Sequence, residues 1–243
     1  MEKWKYDPAR DLDVPARESI KSVHREVGLI TTATNSFRWL LMRGYFRVFH
    51  RREVQGKEHL PDELPAIFVA NHTSHLDALV LASVLSARLN RRVFPVAAGD
   101  TFFETTPMAA FASLFMNALP LWRHKCCAHS LEDLRTRLIE EPCGYIVFPE
   151  GTRSREGRMA RFKPGIGKLV AGTTVPVLPC HVEGAHRAWP AHGKWPRPFK
   201  IRLRIGEARC FDQVKNDRQG WNQIAASLEE AVIRLSEVKR NHG

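Results

Sequence analysis

The chain alternates short apolar runs with longer stretches whose apolar residues recur every three or four positions. Pro65-Ala66-Ile67-Phe68-Val69-Ala70, Val93-Phe94-Pro95-Val96-Ala97-Ala98 and Gly144-Tyr145-Ile146-Val147-Phe148 are of the first kind. Such runs, with no polar residue facing water, read as strands buried on both faces. Residues 76–89, 130–141 and 219–239 are of the second kind and read as amphipathic helices. Ser130 is the expected cap of the middle one, with Asp133 in the capping-box place and Pro142 as its stop. In the last, Trp221, Ile224, Leu228, Val232 and Leu235 share the inward side. Residues 54–57 open the main domain, residues 119–123 add a short strand, and residues 200–205 alternate with period two, a strand with one cationic face. Alternating strands and helices predict an α/β fold: a mainly parallel or mixed central sheet with helices on both faces.

Before that sheet the pattern changes. Residues 1–16 read as a polar tail broken by Pro8 and Pro15, residues 17–53 as an amphipathic two-helix segment, and residues 54–243 as the main domain. Gly28 and Thr31-Thr32-Ala33-Thr34-Asn35 suggest a break between the two helices. In the second, Phe37, Leu40, Leu41, Gly44, Tyr45, Val48 and Phe49 recur at helical spacing, bordered by Arg38, Arg43, Arg47, Arg51 and Arg52. Apolar and aromatic residues rimmed by arginine fit a helix lying in a membrane interface; packing on the domain is the competing reading. Residues 101–122 form the most apolar stretch, bounded by Pro107 and Pro120, and read as a helix of about four turns. It serves either as core or as one wall of a slot for an alkyl chain.

Charge narrows the partners. Formal net charge is +11, which favours nucleic acid, an anionic membrane or a polyanionic substrate. Five cysteines without a C-x2-C pair give neither a disulfide framework nor a zinc site, and suit a reducing compartment. The N-terminus carries no apolar leader pattern. No uncharged apolar run reaches the roughly 20 residues that span a bilayer. The expected location is the cytoplasmic face of a membrane, bound peripherally.

Two polar loops carry the candidate chemistry. Asn71-His72-Thr73-Ser74-His75-Leu76-Asp77 lies between the strand ending at Ala70 and the following helix, with Thr73 or Ser74 as the expected cap. Ligands of α/β sheets bind at such strand ends. The spacing of His72 and Asp77 lets the carboxylate hold one ring nitrogen, so that the other can take a proton from a hydroxyl. A capped helix with a surface histidine, and a metal-dependent hydrolase site of His72, His75 and Asp77, are the alternatives. The second loop is Phe148-Pro149-Glu150-Gly151-Thr152-Arg153-Ser154, followed by Arg155, Arg158, Arg161 and Lys163. The fork of Arg153 matches phosphate oxygens. The loop is not a Walker motif, because Gly165-Ile166-Gly167-Lys168 continues into Leu169. A solvated basic face or a nucleic-acid-binding module competes here, the latter weakened by sparse aromatic residues among the arginines.

Asn71-His72-x4-Asp77, then Phe148-Pro149-Glu150-Gly151-Thr152-Arg153-Ser154, then Val175-Pro176-Val177-Leu178-Pro179 resemble, in order and separation, the motifs of the glycerolipid (lysophosphatidate-type) acyltransferases. The resemblance covers residues 54–210, and Phe162-Lys163-Pro164-Gly165 fits the continuation of the second motif. It implies that His72 is the general base and Asp77 its orienting acid. The acceptor hydroxyl would attack a thioester directly, without an acyl-enzyme. Glu150 and Gly151 would place the glycerol part, with Thr152 and Lys163 in the same binding loop, and Arg153 would hold the phosphate. Arg123 would be a further acceptor-binding cation, although Leu121-Trp122-Arg123-His124 lacks the Asp frequent there. The strand at 175–179 would be structural. The implied partners are a lysophospholipid acceptor, acyl-coenzyme A or acyl carrier protein as donor, and an anionic membrane surface. No cofactor, metal or nucleic acid is implied.

Overall fold

The computed structural model describes residues 29–98, 112, 117–121, 127–190, 192–193 and 195–238. Seven strands form one sheet: β1 (Glu53–Gln55), β2 (Ala66–Ala70), β3 (Val93–Ala98), β4 (Leu119–Leu121), β5 (Gly144–Val147), β6 (Val177–Glu183) and β7 (Arg202–Ile205). Their spatial order is β1-β7-β6-β2-β5-β3-β4. Every neighbouring pair is parallel except β6 with β7. The sheet is therefore mixed, as the alternation of strand and helix patterns predicts.

β2 lies at its centre and every residue of it is buried. Its period of two splits the core into two layers. Phe68 packs with Met42, Phe46, Val80, Leu81 and Leu203 on one face. Ile67 and Val69 pack with Leu134, Leu138, Ile166, Ile224 and Leu228 on the other. The first layer is covered by α1 (Leu29–Val48), α2 (Asp77–Ala82), α3 (Ala87–Asn90) and α6 (Ala185–Ala188). The second is covered by α4 (Cys127–Glu140), α5 (Gly165–Val170) and α7 (Arg218–Glu237). α5 and α7 touch closely: a Cβ at Gly167 would stand 2.3 Å from the Cα of Trp221, so only glycine fits.

Several local expectations change. α1 runs unbroken through the Thr-Asn stretch, because propensity penalties of a few tenths of a kcal/mol per residue do not stop a helix anchored further on. It docks through Arg38, Met42 and Phe46, while Phe37, Leu40, Leu41 and Val48 stay exposed. Trp39 ties it down by donating its indole N–H to Leu85 O at 2.9 Å. The helix expected over 76–89 is two short ones. Ser83 Oγ turns back to Val80 O, and Ser86 caps α3 through Leu89 N at 3.2 Å. Ser130 lies within α4 rather than capping it, since the helix begins at Cys127. The cationic face of β7 is neutralised: Arg202 and Arg204 pair with Glu53 and Glu183. The tail 1–16, the first N-terminal helix and Arg123 lie outside the described residues. So does most of the apolar stretch at 101–122, although Ala112 is fully buried.

Candidate active site

Asn71 begins the His72 loop by prolonging the sheet. Its side chain donates to Val182 O at 3.0 Å and accepts from Val182 N at 2.8 Å, copying a strand residue beyond the end of β2. The next residues are then turned by a carboxylate. Oδ2 of Asp77 accepts from Thr73 N at 2.7 Å, from Ser74 N at 2.8 Å and from Nδ1 of His72 at 3.0 Å. Asp77 thus satisfies the N–H groups of Thr73 and Ser74, Ser74 Oγ accepts from Leu76 N at 3.1 Å, and Leu76 precedes α2 without a side-chain cap. Asp77 is fully buried, and the side chain of His72 is 22% exposed. With the Nδ1 proton donated to the carboxylate, the Nε2 lone pair is left to accept a proton. The ring is braced on Phe148, 4.1 Å between centroids and 18° from parallel.

The second loop leaves the neighbouring strand β5 and is stitched to the first. Ser154 N donates to His72 O at 2.9 Å. Glu150 bridges the two: Oε1 accepts from His72 N at 2.6 Å and Oε2 from Ala160 N at 2.9 Å. Glu150 is 3% exposed, so its carboxylate is spent inside the protein. Burial raises its pKa, and the two backbone N–H groups pull the other way. Gly151 has φ +77°, and the Lys163 amine lies 2.8 Å from where its Cβ would be. A side chain there would be both strained and in the path of Lys163. Arg153 is half-buried, and its Nη1 lies 2.5 Å from Nδ1 and 2.6 Å from Nε2 of His75. Desolvation lowers the Arg153 pKa and the charge of Asp77 opposes this.

The structure therefore brings His72, Asp77, Glu150, Gly151, Arg153 and Lys163 to one strand-end rim, with Thr152 exposed beside them. A third segment, unassigned by sequence reasoning, closes that rim. Ser74 Oγ donates to Trp189 O at 2.6 Å, Ser74 pairs with Pro190 in an isolated bridge, and His186 Nδ1 lies 3.3 Å from Thr73 O. No local pattern marks this segment, because its role comes from following β6 out of the same end of the sheet. His75 points to Arg153 and Trp189, and among the described residues no cluster of three His, Cys, Asp or Glu side chains is arranged to hold a metal ion.

The mixed α/β sheet thus carries an acid-backed imidazole and a guanidinium at one strand-end rim. The chain belongs to the acyltransferase family, whose model matches residues 51–183, more than half of it. The chloroplastic 1-acyl-sn-glycerol-3-phosphate acyltransferase of Brassica napus is 31% identical over 149 residues, 58% of this chain and 40% of that protein. The alpha enzyme of the same name from Mus musculus is 29% identical over 144 residues, again 58% of this chain and 48% of the relative. The chain thus spans less than half the length of these curated relatives. The crystal structure of the 1-acyl-sn-glycerophosphate acyltransferase of Thermotoga maritima superposes with a TM-score of 0.67 over 88% of this chain and 81% of that one, at 24% identity. That likeness establishes the fold.

Proposed function

We propose that this protein transfers a fatty acyl group from a thioester donor, acyl-coenzyme A or acyl carrier protein, to the free hydroxyl of a lysophospholipid such as lysophosphatidate. The observation that carries the reading is the stitching of the two loops. An imidazole oriented by Asp77 and a guanidinium from the next strand end share one rim, joined by Ser154 N to His72 O and by Glu150 to His72 N.

Nε2 of His72 takes the hydroxyl proton as the oxygen attacks the thioester carbonyl carbon. The tetrahedral species collapses with loss of the C–S bond, and the imidazolium returns the proton to the departing thiolate. A positioned base of this kind contributes about 10² to 10⁴ in rate. Arg153, with Lys163 beside Gly151, binds the phosphate, while Gly151 and Thr152 lend backbone to the glycerol part. Glu150 acts by tying the loops together. Arg123 remains a proposed second cation for the acceptor. The thioester is already activated, so the account needs no cofactor or metal.

The proposed location is a membrane surface. No helix among the described residues is long and apolar enough to cross a bilayer. The outer side of α1 instead presents Phe37, Leu40, Leu41 and Val48 to solvent, with exposed Arg43, Arg47 and Arg51 around them. Apolar insertion bordered by cations suits an anionic lipid surface, the side from which a lysophospholipid arrives.

The test incubates the purified chain with labelled acyl-coenzyme A, or acyl carrier protein, and lysophosphatidate. Labelled phosphatidate is the expected product. Its absence with both donors, in a protein that is folded and bound to vesicles, contradicts the assignment.

A further inference from the structure

Arg153 does not reach into the cleft unaided. Its Nη1 stands 2.5 and 2.6 Å from the two ring nitrogens of His75, in direct contact with that ring. A guanidinium carries only donors, so hydrogen bonding in this contact falls to the one nitrogen of a neutral imidazole that carries a lone pair. The same ring leans on Trp189, 5.0 Å between centroids and tilted by 40°. Trp189 is held in turn by Ser74, the residue before His75, through its backbone carbonyl. His75 is therefore wedged between the third segment of the rim and the guanidinium.

Asp77 Oδ2 already holds three donors and both oxygens of Glu150 are occupied by backbone N–H groups, while Asp77 Oδ1 is buried with no hydrogen-bond partner, so Arg153 does not bond to it either. We propose that His75 is the positioning residue of the acceptor site: it fixes the Arg153 guanidinium so that its remaining N–H groups face the phosphate of the lysophospholipid. The inference rests on the reading of Arg153 as the phosphate anchor. A long side chain held by one hydrogen bond before the ligand arrives loses less freedom on binding, so the gain falls on acceptor affinity rather than on chemistry.

Three variants test it under the same assay with acyl-coenzyme A. His75→Phe keeps a ring against Trp189 and deletes the acceptor; His75→Asn restores a short acceptor. His75→Phe is expected to raise the KM for lysophosphatidate roughly tenfold, the size of losing one hydrogen bond to a charged group. Its kcat should change less than its KM, and the KM for acyl-coenzyme A should stay within about twofold. His75→Asn should recover most of the acceptor KM. Arg153→Ala separates the two readings. A raised acceptor KM in Arg153→Ala but not in His75→Phe overturns the positioning role alone. No change in either overturns the phosphate anchor along with it. Equal damage to kcat and to both KM values in His75→Phe and His75→Asn marks a packing role and also overturns the proposal.

Discussion

At the residue scale the account turns on two carboxylates doing different work at one rim. Asp77 gathers His72 Nδ1 and two backbone N–H groups on a single oxygen, which fixes loop and imidazole together. Glu150 fixes the distance between loops through His72 N and Ala160 N. Glu150→Gln presents an amide that can accept only one of those two N–H groups and sets a donor against the other. Leaving a buried donor unpaired costs about 1–3 kcal/mol. The variant should unfold earlier in urea by that amount and lose acyl transfer as well; an unchanged midpoint with unchanged turnover contradicts the bridging role. The His72–Asp77 pair was legible from its spacing alone, because a strand end followed by a helix confines both residues. The bridge was not, since nothing in Glu150-Gly151 reveals which N–H groups a carboxylate will find across the sheet. His75 read only as a member of the alternative metal set for the same reason.

At the scale of elements, α1 shows how an apolar pattern can serve two surfaces at once. Its core side is Met42 and Phe46, and its outer side is Phe37, Leu40, Leu41 and Val48. The periodicity located the helix and its exposed stripe. It misplaced Arg38, which is 8% exposed and whose pKa burial lowers to about 10. The interfacial role predicts that Arg43→Gln with Arg47→Gln weakens binding to anionic vesicles about thirtyfold, at about 1 kcal/mol per arginine. Cosedimentation with phosphatidylserine-containing vesicles measures it, and unchanged partitioning would exclude these arginines from the contact. Helix ends were less legible than helix existence. Ser83 and Ser86 divide one expected helix into two, and Asp77 joins the Ser74 hydroxyl in tying up the loop before α2.

At the scale of the whole molecule, the parallel run β6-β2-β5 sends the chain into loops at the same end of its strands. The His72 and Arg153 loops leave adjacent strands, and Trp189 follows from the other neighbour of β2. Uniform apolar runs in the sequence foretold the buried strands; β7 stood apart as an alternating strand, but its antiparallel pairing with β6 is set by tertiary contact that so short a pattern does not carry. That pair also creates a titration outside the site. His181, opposite Arg204, has its pKa lowered to about 4 by burial and by the Arg204 charge, with Glu183 and Asp77 pulling weakly upward. The native state then binds fewer protons than the unfolded chain between about pH 6.5 and 4, so acidification through that window destabilises it, by at most about 1.4 kcal/mol per pH unit. Glu150, whose pKa is raised, acts in the opposite sense near the bottom of the window. Urea midpoints of wild type and His181→Gln isolate the histidine: the wild-type curve should fall more steeply with acid, and parallel curves contradict the effect.

The central claim is that an imidazole held by Asp77 removes the proton from an acceptor hydroxyl beside Arg153. Its most direct test is the initial rate of labelled acyl transfer to lysophosphatidate by wild type and His72→Ala at matched folding and vesicle binding. The account predicts a loss of at least about a hundredfold. A His72→Ala protein retaining more than about a tenth of the wild-type rate would contradict it.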